Sequence, residues 1–209
     1  MKFLLLGATG AVGRAVLEQA LADPRITQVM APTRRPLPPA PRLTNPVTDF
    51  AILPAESDVW ACDAVISVLG TTQKIAGSRE AFRRVDLDLV IATAAAARRA
   101  GARSLAVVSS VGASAASPSF YLRTKGEMEA GLRALGYPSL TIVRPSMIDA
   151  RRDPPRGLEE LGAMAFRLLR PLIPARYRAV TPARIATSLI AAAMEGRQGT
   201  RVIESEEIG

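Results

Sequence analysis

Histidine is absent from this 209-residue chain, and cysteine occurs once, as Cys62. The first absence excludes Ser-His-Asp and Cys-His catalysis and removes the commonest metal ligand, so no metal site is expected. The second excludes any disulfide within the chain. Cys62 precedes an apolar strand pattern and reads as a small buried or half-buried residue and not as a nucleophile. Long uncharged apolar runs are also missing, so no insertion into a membrane is expected. The apolar run after Met1-Lys2 is too short for a signal-peptide core and meets glycine at once, which gives a cytoplasmic expectation. Aromatics make up 4% of the residues. No basic strand is studded with them, and neither zinc-finger spacing nor a helix-turn-helix signal is present, so no specific nucleic-acid partner is expected.

The formal charge is +8. Arginine is spread along the chain and not gathered in a tail, which reads as a basic, solvated surface. Apolar residues make up 48% of the chain, enough for a real core in one domain spanning residues 1–209. Strand-like and helix-like runs alternate from the start. Strands are expected at Phe3–Leu6, Val29–Thr33, Leu43–Val47, Ala64–Leu69, Leu105–Ser109, Leu140–Val143 and, at an edge, Thr200–Ile203. Helices are expected at Ala11–Ala22, Arg79–Arg99, Ser119–Leu135, Gly157–Arg170 and Pro182–Met194. This alternation implies a doubly wound parallel sheet of Rossmann type, a three-layer α/β/α sandwich. Pro36–Pro41 reads as an exposed stiff loop. Residues 145–180 read as the wall and lid of a substrate pocket, with two prolines in Arg151–Arg156 and apolar points at Leu158, Leu161, Met164, Phe166 and Leu168. The Ala-rich Arg79–Arg99 helix suits either its own core or a homodimer.

Gly7-Ala8-Thr9-Gly10-Ala11-Val12-Gly13 follows the first strand and opens the first helix, the context a dinucleotide fingerprint requires. Gly7 permits the turn, Gly10 lets a pyrophosphate approach the backbone, and Gly13 brings helix and sheet together. The helix N-terminus then faces the phosphates with free N–H groups. Readers of the unphosphorylated ribose usually end the second strand with Asp or Glu. Here that place is Thr33-Arg34-Arg35, and guanidinium groups suit a 2′-phosphate, so the expected cofactor is NADP(H). Asp49-Phe50 follows the third strand; Asp49 either accepts from an adenine amino group or caps the next segment.

Tyr121 and Lys125 form YxxxK, four residues apart on one helix face. A nearby ammonium favours the phenolate and lowers a tyrosine from its usual value of about 10. Such a tyrosine exchanges protons near neutral pH, and Lys125 is also suited to hold the nicotinamide ribose. Ser109-Ser110 end the fifth strand, at the carboxyl edge where doubly wound folds bind ligands. Ser110, further out, is the preferred residue to hold a substrate carbonyl, and Ser109 is the alternative.

Glycine loop, serine pair and YxxxK in this order resemble the short-chain dehydrogenase/reductase superfamily, and GATGAVG resembles its atypical branch. Leu69-Gly70-Thr71-Thr72, Val85-Asp86-Leu87-Asp88, Ser109–Ala113, Tyr121–Glu127 and Arg144-Pro145 resemble the Tat-interacting-protein-like oxidoreductases. The resemblance implies a serine–tyrosine–lysine triad acting with NADP(H) on a carbonyl or conjugated double bond of a small molecule. It also implies Gly70 and Thr71 beside the cofactor ribose, Leu69 as a further cofactor-binding residue and Pro145 near the nicotinamide. The branch equally includes non-catalytic proteins that sense NADP(H). Asp86 stands where many members of the superfamily carry a catalytic Asn, and Ser146 where they carry Gly.

Overall fold

The computed structural model describes residues 1–51, 53, 58–149 and 174–208. The expected helix Gly157–Arg170, the proline loop before it and most of the expected lid lie outside the described residues.

The first strand shows how the sheet is built. In β1 (Lys2–Leu6), Phe3 and Leu5 point to one face and Leu4 and Leu6 to the other, and all are buried. Phe3 and Leu5 join a core with Val12, Val16 and Ala20 of α1 (Ala11–Ala22). Leu4 and Leu6 join a second core on the opposite face with Val90, Ala94, Met128 and Leu132. Each of these large side chains contributes about 1.5–3 kcal/mol on burial. Two apolar faces on one strand oblige the chain to cover both, and the three layers follow.

The remaining strands are β2 (Gln28–Met30), β3 (Leu43–Thr44), β4 (Ala64–Ser67), β5 (Ser104–Val108), β6 (Ser139–Arg144) and β7 (Gly199–Glu204). They form one seven-stranded sheet in the order β3-β2-β1-β4-β5-β6-β7, parallel throughout. The order reverses between β1 and β4, which is the topological switch point. The helices named next are α2 (Gln73–Ala76), α3 (Arg79–Arg83), α4 (Leu89–Arg99), α5 (Phe120–Ala134) and α6 (Pro182–Glu195). Thr181 caps α6 through the N–H of Arg184, with Pro182 in the first turn.

Two expectations change. The helix expected over Arg79–Arg99 is α3, a π-helical segment at Arg84–Asp88, and α4. The extra residue in a π turn shifts the facing of what precedes it, and it buries Asp86 beside Leu87. The second and third strands are shorter than expected, because Asn45 intervenes. Its side chain donates to Ala31 O and Thr33 Oγ1 and accepts from the N–H of Leu37, leaving only a single bridge at Thr33–Val47 beyond. The Ala-rich face of α4 buries Val90, Ala94, Ala96 and Ala97 in its own fold.

Candidate active site at the switch point

The glycine loop separates into two kinds of position. Gly7 has φ +92°, and a Cβ there would lie 2.8 Å from the backbone of Val68, beyond the end of β4. At Gly13 a Cβ would lie 2.0 Å from Gly7 O. The fold itself requires these two glycines. At Gly10 a Cβ would meet only Gly7 O at 3.6 Å, an ordinary contact. The space over Gly10 is therefore open, and it lies at the N-cap of α1, where no side chain caps and the first turn carries no acid. Ala8 and Val12 are buried beneath, whereas Thr9 and Gly10 are exposed. Arg14 folds back and donates to Thr9 O at 2.8 Å, adding a cation beside the loop that the sequence reading missed. An uncapped helix start, a cation and open space suit a pyrophosphate.

Beyond β2, Thr33 donates its hydroxyl to Arg35 O at 2.5 Å. The turn is thereby held while Arg34 and Arg35 stay exposed, and neither has an ion-pair partner among the described residues. Asp49 is exposed and accepts the N–H of Ala51 at 2.9 Å, so one of its oxygens serves the local turn. Phe50 packs half-buried against the core that holds Leu4 and Trp60.

Across the switch point, Leu69-Gly70-Thr71 follow β4. Thr71 donates its N–H to Asp86 Oδ2 at 2.8 Å, and Lys125 Nζ lies 2.7 Å from Asp86 Oδ1. Both side chains are nearly inaccessible, 6% exposed for Lys125 and 1% for Asp86. A Cβ on Gly70 would come within 3.3 Å of Asp86 Oδ1 and 3.9 Å of Lys125 Nζ, so the loop lies directly over the pair. This is a correction to the sequence reading. Asp86 is the counter-ion of Lys125, so the positive charge expected to act on Tyr121 is met by a carboxylate. Tyr121, one turn earlier on α5, rests its ring 5.9 Å from that of Phe82.

The two serines part company. Ser109 donates to Glu129 Oε1 at 2.6 Å inside the protein. Glu129 also receives Arg144 through Nε at 2.9 Å and Nη2 at 2.6 Å. Ser109 is thus committed to an ion-pair network, and the substrate-holding role expected of it as an alternative does not fit. The Ser110 hydroxyl makes only a 3.5 Å contact to Val111 O. The chain after it is fixed from both sides, since Val111 donates to Pro145 O at 3.1 Å and Ser114 to Leu122 O at 3.1 Å. Gly126 permits this approach, because a Cβ there would lie 2.1 Å from the Ser114 backbone. Ser110, Pro145 and the first turn of α5 are in this way drawn to one place at the carboxyl edge. Ser146 donates to Arg178 O at 2.6 Å and accepts the Ser205 hydroxyl at 3.1 Å, tying the strand end to the C-terminal segment.

Cys62 behaves as the sequence suggests. Burial, with the Asp63 carboxylate nearby, pushes its thiol up to about 12, which makes it a poor nucleophile. No group of metal-ligating side chains occurs among the described residues, and none of their helices is long and apolar enough to cross a membrane.

A phosphate cradle at the switch point of a doubly wound sheet defines a dinucleotide-binding Rossmann protein, with an oxidoreductase-like fold. The chain belongs to the NAD(P)H-binding family, whose model matches residues 7–164. Among curated proteins it is similar to "Protein FMP52, mitochondrial" of Meyerozyma guilliermondii, 34% identical over 204 residues that cover 90% of this chain and 86% of that one. The Emericella nidulans protein of the same name is 35% identical over 164 residues, 74% of this chain and 70% of its own. Among solved structures, MoeE5 in complex with UDP-glucose and NAD has a TM-score of 0.72 at 18% identity, covering 97% of this chain and 75% of that one. The Bordetella bronchiseptica enzyme WbmG in complex with NAD has a TM-score of 0.69 at 16% identity, covering 99% and 73%. These two likenesses show the fold. Together the matches agree with the atypical short-chain dehydrogenase/reductase resemblance carried by the motifs. They also correct one expectation. The curated relatives are named as mitochondrial, which overturns the cytoplasmic reading drawn from the missing leader pattern.

Proposed function

We propose that the chain is an NADP(H)-dependent oxidoreductase acting on a carbonyl, or a conjugated double bond, of a small molecule. The observation that carries this reading is the shared location of the open cradle at Gly10, the Gly70–Asp86–Lys125 cluster and Ser110 on the carboxyl edge of one sheet. The bound nicotinamide supplies the hydride chemistry, and the protein supplies geometry and protons. The first turn of α1, with Gly10 and Arg14, holds the pyrophosphate. Arg34 and Arg35 pair with a 2′-phosphate, which no carboxylate at the end of β2 repels. Gly70, Thr71 and Lys125 line the nicotinamide ribose, with Leu69 and Pro145 as apolar walls and Asp49 and Phe50 at the adenine end. Ser110 holds the substrate oxygen, and Tyr121 gives that oxygen its proton.

Nucleotide sensing without turnover is the second reading, and the closed Lys125–Asp86 ion pair favours it, because it engages the ammonium before any ligand arrives. Separate titrations with NADPH and NADH, followed by nicotinamide fluorescence, test the shared part. Selective NADPH binding that is lost in Arg34→Ala/Arg35→Ala supports the cofactor assignment; binding of neither nucleotide overturns it. A carbonyl screen with Tyr121→Phe as control then separates the enzyme, whose turnover the control abolishes, from the sensor, which shows none.

A further inference from the structure

We infer that Asp86, by neutralising Lys125, determines which oxidation state of the nicotinamide the site prefers. The inference rests on the reading above that the ring binds beside Lys125. The oxidised ring carries a positive charge and the reduced ring carries none. An unpaired ammonium next to it would repel the oxidised form alone. In this chain the ammonium is never unpaired. Asp86 Oδ1 lies 2.7 Å from Lys125 Nζ, and both side chains are withdrawn from water, so solvent does little to screen whatever charge remains.

Asp86 is held in that role from its other oxygen, which accepts the Thr71 N–H at 2.8 Å. The π-helical turn at Arg84–Asp88 buries it there, and Gly70 leaves room for the pair directly beneath the loop. Both carboxylate oxygens are in use, one facing the Thr71 N–H and one facing the Lys125 ammonium, which carries three donors. Lys125 therefore keeps donors for a ribose hydroxyl while the net charge of the pair stays near zero. An Asn at position 86 would keep the size of the side chain and remove the negative charge, with one oxygen left to accept from either Lys125 or the Thr71 N–H. Asp86→Asn and Asp86→Asn/Lys125→Gln share the lost acceptor and differ in the local net charge at the ring.

At an effective dielectric of about 20, two unit charges roughly 7 Å apart alter a binding ratio by about tenfold or more. The test measures dissociation constants for NADP⁺ and NADPH by calorimetry and fluorescence in four proteins: the parent, Asp86→Asn, Lys125→Gln and the double variant. The quantity read is the ratio of the oxidised to the reduced constant. A purely structural role for the pair lowers the melting temperature and moves both constants together, leaving the ratio alone. The expected result is a ratio about tenfold higher in Asp86→Asn, and a return to near the parent value in Asp86→Asn/Lys125→Gln, where the site is again neutral. Should Asp86→Asn fail to fold, Lys125→Gln at pH 8.5 carries the test, with the ratio falling because the carboxylate is left unbalanced. Nucleotide binding with one constant ratio across all folded variants overturns this inference and leaves the proposed function standing. Binding of neither form by the parent overturns both.

Discussion

Ser109 donates its hydroxyl to Glu129 at 2.6 Å inside the protein, and this one contact separates two adjacent serines into different trades. Glu129 is buried, takes two nitrogens of Arg144, and is approached by Arg133 at 3.4 Å. Arg144 continues to Glu204 at 3.0 Å. Beside the carboxylate, the guanidinium of Arg144 is held above its ordinary range. Ser109→Ala should cost about 1–3 kcal/mol by leaving a lone pair of a buried carboxylate unmet. Glu129→Gln should cost about 3–5 kcal/mol, since it removes the buried carboxylate that holds two nitrogens of Arg144 and leaves that guanidinium only Glu204 as an ion-pair partner. Ser110→Ala should stay within about 0.5 kcal/mol of the parent in urea unfolding, yet lower kcat/KM once a substrate is found. A stability loss in Ser110→Ala equal to that of Ser109→Ala would remove the distinction.

The two glycines at the ends of the loop's second half make opposite predictions. Gly13→Ala forces a Cβ against the Gly7 carbonyl, backbone against backbone, so neither side yields cheaply. It should destabilise the fold by about 3 kcal/mol or more. Gly10→Ala meets no such obstacle and should melt close to the parent. It should nevertheless weaken nucleotide binding at least tenfold, because the methyl group stands where phosphate approaches. Calorimetric melting and nucleotide titration of the two variants read both effects.

Arg42 predicts a structural use for one of the many arginines. Its guanidinium donates to Asp23 O at 2.8 Å and Ile26 O at 2.7 Å, and also to Leu21 O. It thereby closes the end of α1 onto the strand that follows. The residue holds φ +65°, which a side chain rarely adopts. Arg42→Ala should lose about 1–3 kcal/mol, whereas Arg34→Ala should be neutral in stability. Urea midpoints of the two variants check this.

Alkaline pH should weaken the fold through Cys62. The unfolded thiol gives up its proton near pH 8.5, following its usual value of about 8.5. The folded one, shielded by burial and by Asp63, keeps it up to about 12. Folding therefore holds the proton that the unfolded chain releases, so stability is full below about pH 8.5 and declines as pH rises above it. Burial raises Tyr137 in the same direction, its hydroxyl donated to Ala94 O at 2.7 Å. Urea midpoints between about pH 7 and pH 11 should slope downward, and less steeply in Cys62→Ala. A thiol reagent should leave the native protein untouched at pH 8 and label it in urea.

Much of the architecture was legible in the chain. Its signals are local: alternating buried faces in Phe3–Leu6, helical spacing over Ala11–Ala22, a proline in the first turn of α6. The Ala11–Ala22 helix has the bounds the spacing predicts. The glycine loop was legible for the same reason, since strand, turn and helix follow one another without a break.

Partners were not legible. Sequence supplies the identity of a charge, but its neighbour and its distance from water are set by packing between segments far apart in the chain. Asp86 reads as a defective Asn until the π-helical turn buries it against Lys125. Ser109 reads as an alternative to Ser110 until β6 and α5 bring Arg144 and Glu129 beneath it. The sequence by itself determined a parallel sheet with a nucleotide cradle at its edge, because backbone sterics and hydrophobic periodicity act over a few residues. Only the tertiary structure decided which polar groups face the cradle and which are consumed beneath it. A buried charge must find its counter-ion wherever the folded chain has placed one.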